Sequence, residues 1–186
     1  MADSDLEPTP GMLLVAPPLM EDPNFRRTVV LLCEHSPEGS FGLILNRPLT
    51  LNLSEVVEDL GGDDMVSLGG PVQQNTLHFL HRHSEYIADA IPVLDGVHWG
   101  GDFEAIKLLV QTETATTHDL RFFLGYAGWS PGQLQEEIDA GGWFLAYAND
   151  SLIFPDDPVT LWRTVLRRMG GDYALLSNFP DDPQMN

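Results

Sequence analysis

LGYAGWSPGQLQEEI, residues 124–138, sets a strand end, an aromatic glycine-rich turn and a helix start within fifteen residues. Ser130, Pro131 and Gln133 read as N-cap, first helical residue and the glutamine of an S-x-x-Q capping box. The spacing predicts a helix over 131–140 with a Gly141-Gly142 stop. It also gathers the amides after Gly125 and Gly128 at a positive helix end. No evident nucleophile or general base stands in the stretch, so it predicts a binding site and not a reaction.

Upstream, 120–124 reads as a buried strand feeding this motif, and 102–110 as a helix burying Phe103, Ile106, Leu109 and Val110. Before them, 65–68 leads into Gly69-Gly70-Pro71-Val72, and 76–81 alternates loosely. In the first third, 12–16 and the β-branched run 28–33 (TVVLLC) read as strands, the second joined to a strand at 41–45 through HSPEGS. Asn52 caps a predicted helix to Leu60, with Glu55 at its third position and Leu53, Val56, Val57 and Leu60 as the apolar stripe. Downstream come 143–148, apolar throughout, and then Leu152 to Phe154. Asp157-Pro158 then opens a helix carrying Leu161, Trp162, Val165, Leu166 and Met169 on one face, ended by Gly170-Gly171. These elements predict one α+β domain over 10–179, with flexible tails at 1–9 and 180–186. Its core is a mixed, partly barrel-like β-sheet surrounded by helices.

The chain has 186 residues, a hydrophobic fraction of 43% and a formal net charge of −19, from 28 acidic against 9 basic side chains. A surface so acidic repels phosphate backbones and anionic membranes, so neither nucleic acid nor membrane is expected as a partner. Cys33 stands alone, which excludes an intrachain disulfide and a cysteine-based zinc cluster. The opening MADSDLEPTP lacks a positive flank and an apolar run, and no apolar stretch approaches the roughly 20 residues of a membrane span. A cytoplasmic location is the expectation.

Several blocks together carry a family pattern: FRRTVVLLCEH at 25–35, FGLILNRPL at 41–49, GGPV at 69–72, Leu80-His81, GYAGWSPGQLQEEI at 125–138 and the Ile153-Phe154…Trp162 spacing. In this order they resemble the AlgH/YqgE family of bacterial proteins over about Gly11 to Asp172. The resemblance implies a compact α+β fold, a sheet with barrel-like closure and surrounding helices. It implies no reaction and transfers no catalytic residue. The family's label of transcriptional regulator comes from a genetic link to alginate production, and the acidity of this chain argues against direct DNA binding.

For binding, the candidates are Asn46, Arg47, Gly69, Gly70, Gly125, Gly128, Trp129 and Gln133. They would border one groove if the turns at the strand ends converge. Backbone amides of the glycine turns and a bidentate Arg47 would hold a small anionic ligand. The plainer readings are tight packing at the glycines and a surface ion pair at Arg47. A protein partner docking on Trp129 and Trp143 is the other binding reading. An enzyme reading would use His35 or His81 with Glu136 as acid and base. Cys33 and His35 share a strand face, but a thiol in an apolar run is inert. His78, His81 and His83 have loose metal-ligand spacing; on a strand His78 points away from the other two, so no metal site and no cofactor are expected.

Overall fold

The computed structural model describes residues 6–60 and 65–181. The strands are β1 (Met12–Val15), β2 (Val29–Ser36), β3 (Gly39–Ile44), β4 (Pro48–Asn52), β5 (Met65–Leu68), β6 (Val72–His81), β7 (Ile91–Leu94), β8 (Val97–Trp99), β9 (Leu120–Trp129) and β10 (Phe144–Tyr147). They form one sheet in the order β10-β1-β2-β3-β9-β6-β8-β7, with β4 on β5 and β5 on β9. All pairings are antiparallel except β5 with β9, so the sheet is mixed. It curls into a half-barrel with helices around it, an α+β fold. The helices are α1 (Leu53–Val56), α2 (Phe103–Gln111), α3 (Gln133–Asp139), α4 (Asp150–Ile153), a 3₁₀ turn (Pro158–Thr160), α5 (Leu161–Met169) and α6 (Gly171–Leu176). Among the described residues no helix is long and apolar enough to cross a membrane.

The unbroken apolar run of β2 has a simple cause: both faces are covered. Val29, Leu31 and Cys33 join Leu13 and Val15 of β1 in a core closed by Trp162, Val165 and Leu166 of α5. Val30 and Leu32 face the other way, onto Leu14, Trp129, Trp143 and Leu134 of α3. A third cluster packs Ile106, Leu109 and Val110 of α2 on Phe79 and Phe122. Asp102 caps α2 by accepting from the Glu104 amide at 3.0 Å.

Three local expectations are corrected. The GYAGW segment is not a turn, because β9 runs through it to Trp129 and its amides belong to the sheet ladder. The helix after it begins at Gln133, since Gly132 at φ +78° breaks the chain direction between Pro131 and the first helical turn. The helix expected over 52–60 is the four-residue α1, preceded by a strand, β4. Asn149 accepts from the Leu152 amide and nucleates α4 ahead of Phe154. Strands β7 and β8, and helix α6, were not anticipated. Gly61-Gly62 and most of both predicted tails lie outside the described residues.

Candidate functional site

The two glycine blocks do meet. The amide of Gly69 donates to Leu124 O at 2.8 Å, and Gly69 O accepts from the Ile44 amide at 2.8 Å, so the chain leaving β5 is held between β3 and β9. A Cβ on Gly69 would lie 2.3 Å from Gly125 O, and one on Gly70 only 2.0 Å from the carbonyl carbon of Tyr126. Gly125, at φ +70°, is the bend in β9 that accommodates them. What fills the meeting point is backbone from each block. Gly69, Gly70 and Gly125 are buried, whereas Gly128 is exposed.

Asn46 and Arg47 face the neighbouring loop. Asn46 accepts from the Val29 amide and donates to Arg27 O, both at 2.8 Å, acting as an extra rung beside β2. The Arg47 guanidinium donates to Arg26 O at 2.9 Å and Pro23 O at 3.3 Å, which ties down the loop before β2. Burial holds its pKa below the usual arginine value.

Gln133 does reach back to the Ser130 amide at 2.9 Å, the glutamine half of the expected capping box. Its amide also donates to Glu137 at 2.9 Å. Glu137 further accepts from both indoles, Trp129 at 2.9 Å and Trp143 at 2.8 Å. This carboxylate organises the aromatic wall, while its neighbour Glu136 stands exposed on α3.

A cleft of about 670 Å³ opens over the β2–β3 hairpin, lined by His35, Ser40, Glu34, Glu38, Phe41 and Trp129 among others. His35 Nδ1 lies 2.8 Å from Ser40 Oγ, a cross-strand pair. Neither His81 nor Glu136 lines this cleft. His81 is fully buried; Nε2 donates to Gly100 O at 2.9 Å and Nδ1 accepts from the His83 amide at 3.1 Å. Burial pushes its pKa down, so it is a neutral, satisfied imidazole. His83 turns to Asp119 at 3.3 Å and His78 to Thr76 at 3.2 Å. Among the described residues no group of three or more His, Cys, Asp or Glu is placed to hold a metal ion.

Cys33 also borders the cleft, but it is 2% exposed, and burial pushes its thiol far above the ordinary range. A disulfide reagent should therefore label the native protein at least roughly a hundredfold more slowly than the unfolded chain, which should titrate as one thiol. Fast native labelling would show an open thiol.

Arg121 is a functional candidate absent from the sequence expectations, within the strand that reads as buried over 120–124. It projects from β9 beneath α4. Nη1 donates to Ile153 O at 2.7 Å, and Nη2 to Leu45 O at 2.7 Å and Ser67 Oγ at 3.4 Å. The guanidinium lies 5.0 Å from the Phe123 ring centroid. No carboxylate pairs with it among the described residues. Burial lowers its pKa to about 10, so the charge persists at neutral pH. It lines a cavity of about 490 Å³ with Ser67, Leu120, Phe122, Pro48 and the exposed Met65 and Val159. His118 and Asp156, 3.9 Å apart, stand at the same cavity. The detectable signal was the lone arginine itself, since an unpaired charge is costly in an apolar strand.

Comparison with known proteins places this geometry in a family. A UPF0301 protein of Chlorobaculum parvum is 44% identical over 177 residues, 95% of each chain. One from Cytophaga hutchinsonii is 44% identical over 180 residues, 96% of this chain and 99% of that one. Among solved structures, the protein DIP2367 of Corynebacterium diphtheriae superposes with a TM-score of 0.77 at 31% identity, covering 94% of both chains. The solution structure of the AlgH protein of Pseudomonas aeruginosa gives 0.73 at 30% identity, over 95% of this chain and 98% of that one. The family description AlgH-like matches residues 13–174, and with it the chain belongs to the AlgH-like, UPF0301 family.

Proposed function

We propose that this protein is a cytoplasmic binding module whose ligand is a small organic monoanion, a carboxylate on an apolar body, held in the Arg121 cavity. One observation carries the reading: an arginine lining a cavity, its guanidinium charged at neutral pH, with carbonyl and hydroxyl acceptors but no acidic partner among the described residues. An uncompensated charge away from water is costly, and an anionic ligand supplies the missing half of the pair. One positive charge, with Asp156 at the same cavity, favours a monoanion over a phosphate ester. Leu120, Phe122, Met65 and Val159 offer apolar wall to the rest of the ligand. The anion-binding role expected of Arg47 moves to Arg121, because the Arg47 guanidinium already serves loop carbonyls. The charge of −19 supports a module that does not itself contact nucleic acid.

Thermal melts with benzoate, phenylacetate and hexanoate, against their neutral amides, test the reading. At about 100 times Kd a native-state ligand adds about 2.7 kcal/mol, a rise of roughly 5–10 °C for a domain of this size. The acids should raise the midpoint and the amides should not. Met65→Asp, at a side chain 56% exposed, should abolish the shift while leaving the unliganded melt near wild type. Equal shifts from acids and amides, or none from either, would remove the proposal.

A further inference from the structure

Three of the nine cationic side chains converge on one short stretch of the chain itself. Arg163 Nη1 donates to Ser177 O at 2.6 Å. Arg27 donates to Phe179 O at 2.9 Å and to Pro180 O, and Arg26 to Asp181 O. The Asp181 carboxylate lies 3.0 Å from Arg27 and 3.1 Å from Arg163. Arg27 itself rests 4.4 Å over the Trp162 ring and holds a φ of +55°, a conformation that costs a non-glycine residue energy. The arginines thus read the turn that ends α6, and the residues just after it, by their carbonyls and by one acidic side chain. The Phe179 ring borders an open space of about 560 Å³ shared with Pro18, Leu19 and Met20.

We infer that Arg26, Arg27 and Arg163 form a peptide-binding groove, closed here by the chain's own 177–181 segment, whose partner is a protein presenting an aromatic-Pro-Asp turn of the same kind. The occupant in place defines the chemistry: carbonyls of a helix-end turn, an aromatic ring and a carboxylate two residues on. Its hold is shallow, since the Asp181 side chain is 79% exposed and Phe179 is 39% exposed. It is also incomplete, because Arg27 Nε is buried without an acceptor. In a chain otherwise repelling acidic segments, this is a place built to accept one. A tethered occupant competes at an effective concentration in the millimolar range, so the groove answers a partner only weakly until the tail is released.

The test uses the full chain carrying Phe179→Ser and Asp181→Lys, which frees the tail, and a fluorescent peptide of sequence SNFPDDPQMN, followed by anisotropy. The released variant should bind the peptide about tenfold or more tighter than wild type. Arg26→Gln in the released background should weaken binding again, and a peptide with Asn at both Asp positions should bind neither protein. A melt of the released variant close to that of wild type establishes that it is folded. Equal affinity of the folded wild type and released variant, or equal binding of the Asn peptide, would overturn the inference. So would a doubling of wild-type mass by light scattering that the released variant lacks, since it makes a second copy's tail the occupant.

Discussion

Gly70→Ala should leave little folded protein. The added Cβ would sit 2.0 Å from the carbonyl carbon of Tyr126, 2.1 Å from its oxygen and 2.4 Å from the Ala127 nitrogen. These are backbone atoms of β9, fixed on one side by pairing to β6 and on the other to β3. No rotamer change relieves such a contact; either β9 or the chain leaving β5 must move. Overpacking against side chains costs about 1–3 kcal/mol, and a clash with a central strand should exceed it, at about 4 kcal/mol or more. For a domain of this length that lowers the midpoint by roughly 10 °C or more, with loss to aggregates during expression. Gly141→Ala separates contact from conformation: φ there is +76°, but nothing lies within 4 Å of the added carbon. It should cost only about 1 kcal/mol, the price of the left-handed region. A Gly70→Ala protein melting beside Gly141→Ala would show that β9 yields easily.

That expectation also explains what was legible in the sequence. The blocks GGPV and GYAGW announce themselves because glycine is needed where two backbones touch, and the structure brings Gly70 against Tyr126. Sequence alone does not distinguish backbone pressed on backbone from backbone waiting for a ligand. Val29 to Leu32 were readable as a strand because apolar side chains on both faces of a sheet leave an unbroken run. The continuation of β9 past Gly125 was hidden, since a glycine at φ +70° looks like a stop even when the ladder resumes with Tyr126 opposite Val72. Asp95-Gly96, the turn between β7 and β8, carries a hairpin signal that any reading weighted toward long elements passes over. Arg121 and Glu137 were hidden for a different reason. Each takes its meaning from partners 6 to 76 residues away, Leu45 and Ile153 for one, Trp129 and Trp143 for the other.

Glu137→Ala is the second substitution with a large expected effect, and it works by subtraction. Its carboxylate accepts from two indoles and one amide, at 2.8–2.9 Å. The indoles cannot turn to water: Trp129 is 6% and Trp143 4% exposed, and Phe25 packs against both, with ring centroids 6.3 and 5.5 Å away. Hydrogen bonds to a charged acceptor contribute about 1.5–3 kcal/mol each, and buried donors left without one cost about 1–3 kcal/mol. The three bonds form one network and do not simply add, so about 3–5 kcal/mol is expected, a fall of roughly 10 °C. Glu137→Gln should recover about half of it. One amide oxygen can still accept both indole protons, whereas its NH₂ then meets the NH₂ of Gln133, donor against donor. Glu136→Ala, one position away and exposed, should stay within about 0.5 kcal/mol of wild type. Thermal melts with tryptophan emission and near-UV circular dichroism read all three, because Trp129 and Trp143 report directly on the lost acceptor. If Glu137→Ala and Glu136→Ala melt together, the carboxylate is ornamental and the aromatic wall stands by packing alone. If they separate as expected, Trp129 is fixed from α3, and the cleft over the β2–β3 hairpin owes one wall to a residue that does not touch it.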